Sequence, residues 1–481
     1  MHKMTTEKYD LIVIGTGSGG LSVGLSMHEL GFKVLFVEKS TSFIGGECLN
    51  TGCVPSKALI HVAKILHQSS KAGNYGMQVS GKPDFERVKA YIKERQDQIR
   101  AHENADYFRQ KGISIVEGIA RFASKRSIEV NGKEYFAKNI IMATGSKPKK
   151  LKIEGVEKVA YYDNENIFDL DVLPERLLVV GAGPVGIELA QAFQRLGAEV
   201  TVINRHKTIL TREDREITEV LFQKLKEDGI KFYNEAEVKF FADKNTAVIK
   251  NAENKEEKIS FDIVLVAIGR EILLDELNLE KADIKTDQGK LIVDNYLRTT
   301  NKNVQVAGDV AGEMKFSHAA ELHASVIVYN LLSPFKKKLN YDTFSWVTFT
   351  DPEVATFGLD EKTLTDRGIA YEKFIYDFKE DDRAIIDEYS YGKMVLFLKK
   401  GMIKKRNMKI LGGSMVAPNA GGTIQELILA ASTDIGILDI FNKTYSYPVS
   451  ERVNKMAVIQ KYTKELTPFV KRVLRRIYRL W

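Results

Sequence analysis

The chain has 481 residues, 44% hydrophobic and 28% charged, the composition of an ordinary globular protein with room for about two to four domains. Its 71 basic and 64 acidic residues give +7, but five cations fall within the last eleven residues; +7 less these five leaves a body near neutrality, which argues against a nucleic-acid-binding surface. There is no run of eighteen apolar residues, no apolar leader core in the first ten residues, and only two cysteines, so neither a spanning helix nor a secreted disulfide scaffold is expected and the chain is placed in the cytoplasm.

The first strand is expected over 9–14, a short apolar run ending at Gly15. Gly15, Gly17 and Gly20 follow in G-x-G-x-x-G spacing, then a helix to about residue 30 and a second strand over 33–37 that ends in Glu38. This is a βαβ unit of the dinucleotide-binding kind, with an acidic residue closing its second strand. A helical stretch is expected over roughly 56–111, then a strand meander ending in Ile140-Ile141-Met142-Ala143-Thr144-Gly145. The first pattern then returns. A strand over 176–180 leads into Gly181, Gly183 and Gly186, a helix to about 196, and a strand over 199–203 ending at Asn204. The two copies lie 166 residues apart. One glycine motif alone is a weak signal, because a tight strand-to-helix turn needs glycine with or without a ligand. Two, each heading its own βαβ unit, point to two dinucleotides. Glycine lets backbone N–H groups approach a pyrophosphate, and the helix N-terminus adds partial positive charge. From 341 to 462 the composition shifts to strand-like alternation with a helix over 423–432, read as a separate α/β domain.

The most informative stretch is Gly45-Gly46-Glu47-Cys48-Leu49-Asn50-Thr51-Gly52-Cys53-Val54-Pro55-Ser56-Lys57, which holds both cysteines. Two thiols five residues apart at the start of a helix can meet across one distorted turn and form a strained, reducible disulfide. The helix N-terminus and Lys57 both favour thiolate over thiol, which keeps at least one sulfur reactive.

A CxxxxC pair directly after such a βαβ unit resembles the pyridine nucleotide–disulfide oxidoreductases of the glutathione reductase, lipoamide dehydrogenase and mercuric reductase kind. The resemblance spans about residues 8–460. It includes Ala143-Thr144-Gly145, Ala267-Ile268-Gly269-Arg270, Val306-Ala307-Gly308-Asp309 and Phe349-Thr350-Asp351-Pro352-Glu353-Val354-Ala355. It implies an α/β fold of two doubly wound Rossmann-like dinucleotide-binding domains plus a C-terminal α/β dimerisation domain. The expected order is an FAD-binding domain over 1–152, an NAD(P)-binding domain over 153–275, a return segment of the first over 276–340, an interface domain over 341–462, and a basic tail over 463–481.

The resemblance also implies roles. Gly15, Gly17, Gly20, Glu38, Thr144, Gly145 and Asp309 would hold FAD; Gly181, Gly183, Gly186, Asn204, Arg205 and Gly269 would hold the nicotinamide cofactor. Cys53 would lie against the flavin and Cys48 would meet substrate. Lys57 and Glu188 match the ion pair the family places beside the flavin's reactive end, and no resident metal is implied. For the nicotinamide cofactor, a carboxylate after the second strand would select NAD. Asn204 stands there instead, followed by Arg205, His206 and Lys207, which favours NADP; the third glycine, Gly186, leaves NAD open.

Two features depart from the disulfide-reducing members. Their C-terminal His-Pro, with a glutamate five residues on, supplies an acid–base for the interchange thiol from the partner subunit. Here Tyr447 stands at the histidine position, Glu451 comes one residue early, and no histidine follows His323. A phenol is a poorer proton shuttle at neutral pH than an imidazole. Asp382-Arg383-Ala384 and Leu411-Gly412-Gly413 look most like the mercuric reductase branch, but no cysteine after Cys53 is present to relay metal. In the tail, Phe469, Val470, Val473, Leu474, Ile477, Tyr478 and Trp481 recur at helical spacing, opposite Lys471, Arg472, Arg475, Arg476 and Arg479. That is the pattern of an interfacial helix on the inner face of a membrane, or of a terminal helix packed on the protein's own dimer domain.

The leading expectation is a homodimeric enzyme passing electrons from NAD(P)H through FAD to the Cys48–Cys53 disulfide and on to a small-molecule or protein disulfide. The alternative is a membrane-surface reductase of a quinone, a metal ion or another non-thiol acceptor. A third is a redox sensor that keeps FAD without turnover.

Overall fold

Leu11, Ile12, Val13 and Ile14 are apolar on both faces, and burial on both faces is what a central parallel strand supplies. In the computed structural model, which describes residues 7–312, 314–400 and 407–480, they form the end of strand β1 (Glu7–Ile14). Helix α1 (Ser18–Glu29) and strand β2 (Val34–Glu38) complete the first βαβ unit. The chain continues through α2 (Gly46–Asn50), α3 (Cys53–Ser70), α4 (Phe85–Arg100), β3 (Ser114–Glu117), β4 (Arg121–Ser124), β5 (Ser127–Val130) and β6 (Lys133–Met142).

The expected helical stretch over 56–111 is interrupted. Gly76 and Gly81 have φ of +81° and +117°, conformations closed to most side chains, and Pro83 follows. The chain recovers helix when the Asp84 carboxylate accepts the Glu86 and Arg87 N–H groups at 3.1 and 3.4 Å.

The chain divides into two compact units. The first comprises Met1–Gly181, Ala192–Thr201 and Val238–Leu339, the second Ala182–Gln191, Val202–Glu237 and Asn340–Trp481. In the first, a seven-stranded sheet runs β3-β2-β1-β6-β5-β4, with strand Val304–Val306 also paired to β6. β1 lies parallel to β2 on one side and β6 on the other, with Ile14 opposite Val37 and Met142. That reversal beside β1 is a topological switch point, where ligands bind beyond the carboxyl ends of the strands. Gly15, Glu38, Thr144 and Asp309 all stand at or just beyond those ends.

The second glycine motif follows strand Arg176–Val180, which pairs in parallel with Ile263–Val266. The sheet built on them is five-stranded, with Tyr161–Tyr162 at one edge and Glu199–Asn204 then Lys231–Asn234 on the other side.

The second unit carries a five-stranded antiparallel sheet in the order Ser345–Thr348, Glu353–Gly358, Ile410–Ala417, Lys393–Lys399, Tyr371–Asp377. Its core joins Phe357, Met394, Leu396 and Met415 of the strands to Leu427, Ala430, Val453 and Ala457 of the following helices. Helix Arg452–Glu465 runs past residue 462, where the interface domain was expected to end, and its Lys461 is buried against Glu372 at 2.7 Å. Helix Pro468–Tyr478 follows, with Thr467 as its N-cap and no buried residue. Trp481, expected on its apolar face, lies outside the described residues. Among the described residues no helix is long and apolar enough to cross a membrane.

Candidate functional site

The two glycine motifs build one device twice. Gly15 has φ +98°, and a Cβ there would lie 2.4 Å from the Ala143 carbonyl oxygen; Gly181 has φ +113°, and its Cβ would lie 2.4 Å from the Ala267 carbonyl oxygen. Each turn therefore closes on the neighbouring parallel strand with no room for a side chain. A Cβ at Gly20 would meet the Gly15 carbonyl oxygen at 2.0 Å, so α1 packs directly on its own turn. No side chain caps the N-terminus of α1 at Gly17, leaving its first amides for a ligand. Glu38 is buried at the end of β2, where it accepts the Thr16 N–H and hydroxyl at 2.7 Å each and the Lys39 N–H at 2.8 Å. The residues present fit a dinucleotide, whose pyrophosphate the Gly15–Gly20 turn would hold.

The cysteine segment spans the end of one short helix and the start of the next. Cys48 lies in α2 and Cys53 opens α3, with Gly52 between them at φ −124°, ψ −111° and a Cβ position only 2.9 Å from the Glu47 carbonyl oxygen. Both sulfurs are free thiols and hydrogen-bond to each other. Ser18, first residue of α1, and Ser317, first residue of helix Ser317–Leu332, both hydrogen-bond Cys48, and the Ser317 hydroxyl lies 3.4 Å from the Cys53 sulfur. Three helix N-termini thus converge on the thiol pair.

Lys57 and that convergence predict a lowered thiol pKa. That expectation is for at least one of the two sulfurs; for Cys48 itself the hydrogen bond to Cys53 pushes the thiol well above the ordinary range, burial and the Cys53 charge add to this, and the two serines only partly offset it. Cys48 is thereby held as the thiol. Lys57, half-buried on α3, lies 3.4 Å from the Ser56 hydroxyl.

Several residues that hold this segment were not legible beforehand. The Asn50 side chain donates to the Gly46 and Ile44 carbonyls at 2.8 and 3.1 Å and accepts from Arg100 at 2.9 Å. Gln96 donates to the Leu49 and Asn50 carbonyls at 2.9 and 2.8 Å, closing the C-terminus of α2. Asn50 carried a local signal, being inside the motif; Gln96 and Arg100 lie nearly fifty residues on and carried none.

Beside it lies a polar corner. Arg270 grips the Glu47 carboxylate with both Nη groups and donates from Nε to the Ser146 hydroxyl at 2.7 Å and from Nη2 to the Ser146 carbonyl at 2.8 Å. Its Nε is 3.4 Å from Asp309, which accepts the Ser146 hydroxyl at 2.5 Å. The Asp309 turn is itself anchored, since the Gly308 N–H donates to Nδ1 of buried His323 at 3.1 Å. Burial pushes His323 down to about 4, so the ring is the neutral acceptor that bond requires. Thr144 is exposed beside this corner and Gly145 adopts φ +70°.

In the second unit, Asn204 is buried, and its amide donates to the His206 and Thr208 carbonyls and to Asn234 while accepting the His206 N–H at 3.1 Å. Its hydrogen bonds order the loop that presents Arg205, His206 and Lys207, all exposed, rather than projecting the amide outward. Gly186 is buried on helix Pro184–Leu196, while Gly183 has open space around it and so does Gly269 in the first unit. Glu188 is buried on the same helix and accepts the Phe349 N–H at 2.8 Å. Tyr447 is 67% exposed; its hydroxyl lies 3.3 Å from Asp382, and the Arg452 guanidinium stands 5.4 Å from its ring centre. Glu451 immediately precedes helix Arg452–Glu465. Among the described residues no group of three or more His, Cys, Asp or Glu side chains could hold a metal.

Comparison with known proteins gives the same outline. The family "Pyridine nucleotide-disulphide oxidoreductase" matches residues 9–324 and its dimerisation domain residues 344–457. The chain is 30% identical over 462 residues to the mercuric reductase of Staphylococcus aureus, covering 94% of this chain and 82% of that one. It is 30% identical over 473 residues to the dihydrolipoyl dehydrogenase of Buchnera aphidicola subsp. Baizongia pistaciae, covering 95% and 97%. Its fold is that of the HOCl-induced flavoprotein disulfide reductase RclA from Escherichia coli, with a TM-score of 0.80 at 23% identity over 93% of this chain and 98% of that one. The second family match gives the chain the dimerisation domain expected of a homodimer. Two dinucleotide turns of one design, with a thiol pair between them in the chain, thus have their explanation in descent: the chain belongs to the pyridine nucleotide-disulphide oxidoreductases and is an FAD-dependent oxidoreductase driven by a pyridine nucleotide.

Proposed function

We propose that the protein uses NADPH to reduce the Cys48–Cys53 disulfide and that the resulting dithiol reduces a small-molecule or protein disulfide. The single observation that carries this reading is the hydrogen-bonded thiol pair, set at the N-termini of three helices. FAD, when bound, supplies the two-electron exchange between nicotinamide and disulfide. Gly15, Gly17, Gly20 and Glu38 would hold its pyrophosphate and ribose, with Thr144, Gly145 and Asp309 lining the rest. Lys57 and Glu188 would be the charged pair that tunes it.

In this reading the two thiols divide the work. Cys53 accepts the hydrogen bond and holds the negative charge. Cys48 keeps its proton until it attacks the acceptor disulfide, forming a mixed disulfide that Cys53 resolves with release of the second product thiol. Tyr447 and Glu451 would stand near Cys48 in the dimer.

Arg205, His206 and Lys207 form an exposed basic turn ordered by Asn204, which supports NADPH over NADH. Replacing Arg205 by alanine is expected to raise the KM for NADPH roughly ten- to a hundredfold, the worth of a charged hydrogen bond, and to leave that for NADH nearly unchanged. Steady-state kinetics with both nucleotides checks this. A clear preference of the unmodified enzyme for NADH would overturn the assignment.

The tyrosine at position 447 favours a second reading, a non-thiol acceptor such as a quinone or a metal ion. The final helix supports a membrane-surface setting for either. Its apolar residues from Phe469 to Leu480 are 36% to 85% exposed, and the opposite face carries Lys471, Arg472, Arg475, Arg476 and Arg479. Each cation contributes about 1 kcal/mol beside an anionic surface. The full chain is expected to bind anionic vesicles in a salt-sensitive way, and a chain ending at residue 466 is not. A full-length protein that ignores such vesicles would remove the membrane from the account.

A further inference from the structure

Glu47 is the residue immediately before the thiol that the proposed function brings to substrate, and its surroundings are unusual for a carboxylate on a five-residue helix. Its side chain is 29% exposed and that of its partner Arg270 is 18% exposed. Arg270 binds both carboxylate oxygens, and the Asn164 amide donates to Oε1 at 2.6 Å. The same guanidinium donates to the hydroxyl and the carbonyl of Ser146 and approaches Asp309. One side chain therefore links α2, the loop after β6 and the Gly308–Ala311 turn. Arg270 is fixed in turn. Its backbone pairs with Pro148, and its carbonyl accepts the Lys315 ammonium at 3.0 Å.

We propose that Glu47 is a positioning residue for Cys48: through Arg270 its carboxylate latches the thiol's helix to the Ser146–Asp309 corner, and the latch loosens when that carboxyl is protonated. Planar two-point pairing fixes orientation as well as distance, so α2 has little freedom while the pair is charged. Protonation removes the ion pair and leaves weaker hydrogen bonds from the guanidinium to a neutral acid.

The change falls in a useful range. Burial pushes the Glu47 carboxyl up to about 7, against the opposing pull of Arg270 and Asn164, with the Asp309 charge adding to the rise. Below that pH the carboxyl is neutral and the latch is loose; above it the carboxylate is charged and the latch is closed. A charged carboxylate beside Cys48 also disfavours its thiolate, so both effects make the thiol less reactive above the transition. Around Glu47 the other charged groups are Arg270, Asp309 and Lys315, with Glu103 across Gly45; burial raises Glu103 as well. Cys48 and Cys53 lie on the near side. The inference rests on Cys48 being the thiol that meets substrate, but its test needs no turnover.

Cys53→Ser holoenzyme has Cys48 as its one remaining thiol. In that background, iodoacetamide alkylation of Cys48 is followed from about pH 5.5 to about pH 8, with and without Glu47→Gln, a neutral mimic of the protonated acid. Equal rates are expected near pH 5.5, and the Gln variant is expected to react roughly three- to tenfold faster near pH 8. Asn164→Ala, which removes one donor that lowers the Glu47 ionisation, is expected to move the midpoint of the transition to higher pH even if the Gln variant folds poorly. A rate ratio that stays constant with pH would show a purely structural role and overturn the proposal. So would a midpoint unmoved in Asn164→Ala.

Discussion

Replacing Cys48 by serine is expected to lower kcat for a disulfide acceptor by roughly 10³-fold or more, while NADPH still bleaches the flavin at close to the normal rate. The serine hydroxyl can form no reducible bond with Cys53, so reducing equivalents reach the flavin and stop there. The structure makes the substitution mild in every other respect. Cys48 sits on a helix whose carbonyls are closed by Gln96 and whose Asn50 is held by Arg100, and neither contact involves the sulfur. Loss of activity with retained flavin, retained dimer and unchanged melting would place the effect at the thiol. The same variant separates the two acceptor classes. If a quinone or a metal ion is turned over unimpaired by Cys48→Ser, electrons leave at the flavin and the thiol pair is not on the path.

Gly20→Ala is expected to yield a protein that retains flavin roughly ten- to a hundredfold more weakly, or none through purification. A Cβ there would lie 2.0 Å from the Gly15 carbonyl oxygen and 3.1 Å from Val13 Cγ1, so α1 must move off its turn. Overpacking of this kind costs about 1–3 kcal/mol, and here the displacement falls on the amides proposed to hold the pyrophosphate. Gly183→Ala is the contrast. A Cβ there meets nothing within 4 Å, so flavin content is expected to be unchanged. Flavin-to-protein absorbance ratios of the two variants test the pair together; equal flavin content in both would mean that the close approach at Gly20 does not hold the cofactor turn.

How far the sequence could be read follows from the range of each interaction. The strand Arg176–Val180 and the strand ending in Asn204 were legible because parallel strands buried on both faces are short apolar runs closed by a turn residue. The glycines were legible because a positive φ beside a neighbouring carbonyl leaves glycine as the residue that fits, at Gly15 and at Gly181 alike. The break between α3 and α4 was missed although Gly76, Gly81 and Pro83 signalled it, because the flanking charge-apolar alternation suits one long helix equally well. The corner around Glu47 could not be read at all. Arg270 stands 223 residues from Glu47 in the chain, and no periodicity connects them. The raised Cys48 thiol was not legible for a related reason. Lys57 and a helix N-terminus are local and visible in sequence, whereas burial and the facing sulfur belong to the folded turn. Asn204 shows the converse. Its position in the second repeat was legible, but its hydrogen bonds go inward to Thr208 and Asn234.

The central claim is that NADPH reduces a disulfide between Cys48 and Cys53 as well as the flavin, and anaerobic titration of the oxidised holoenzyme with NADPH measures it directly. Each centre takes two electrons, so about two equivalents of NADPH per flavin are expected before reduction is complete, with two thiols then open to alkylation at Cys48 and Cys53. Reduction complete after about one equivalent, with no gain in thiols, would contradict the account.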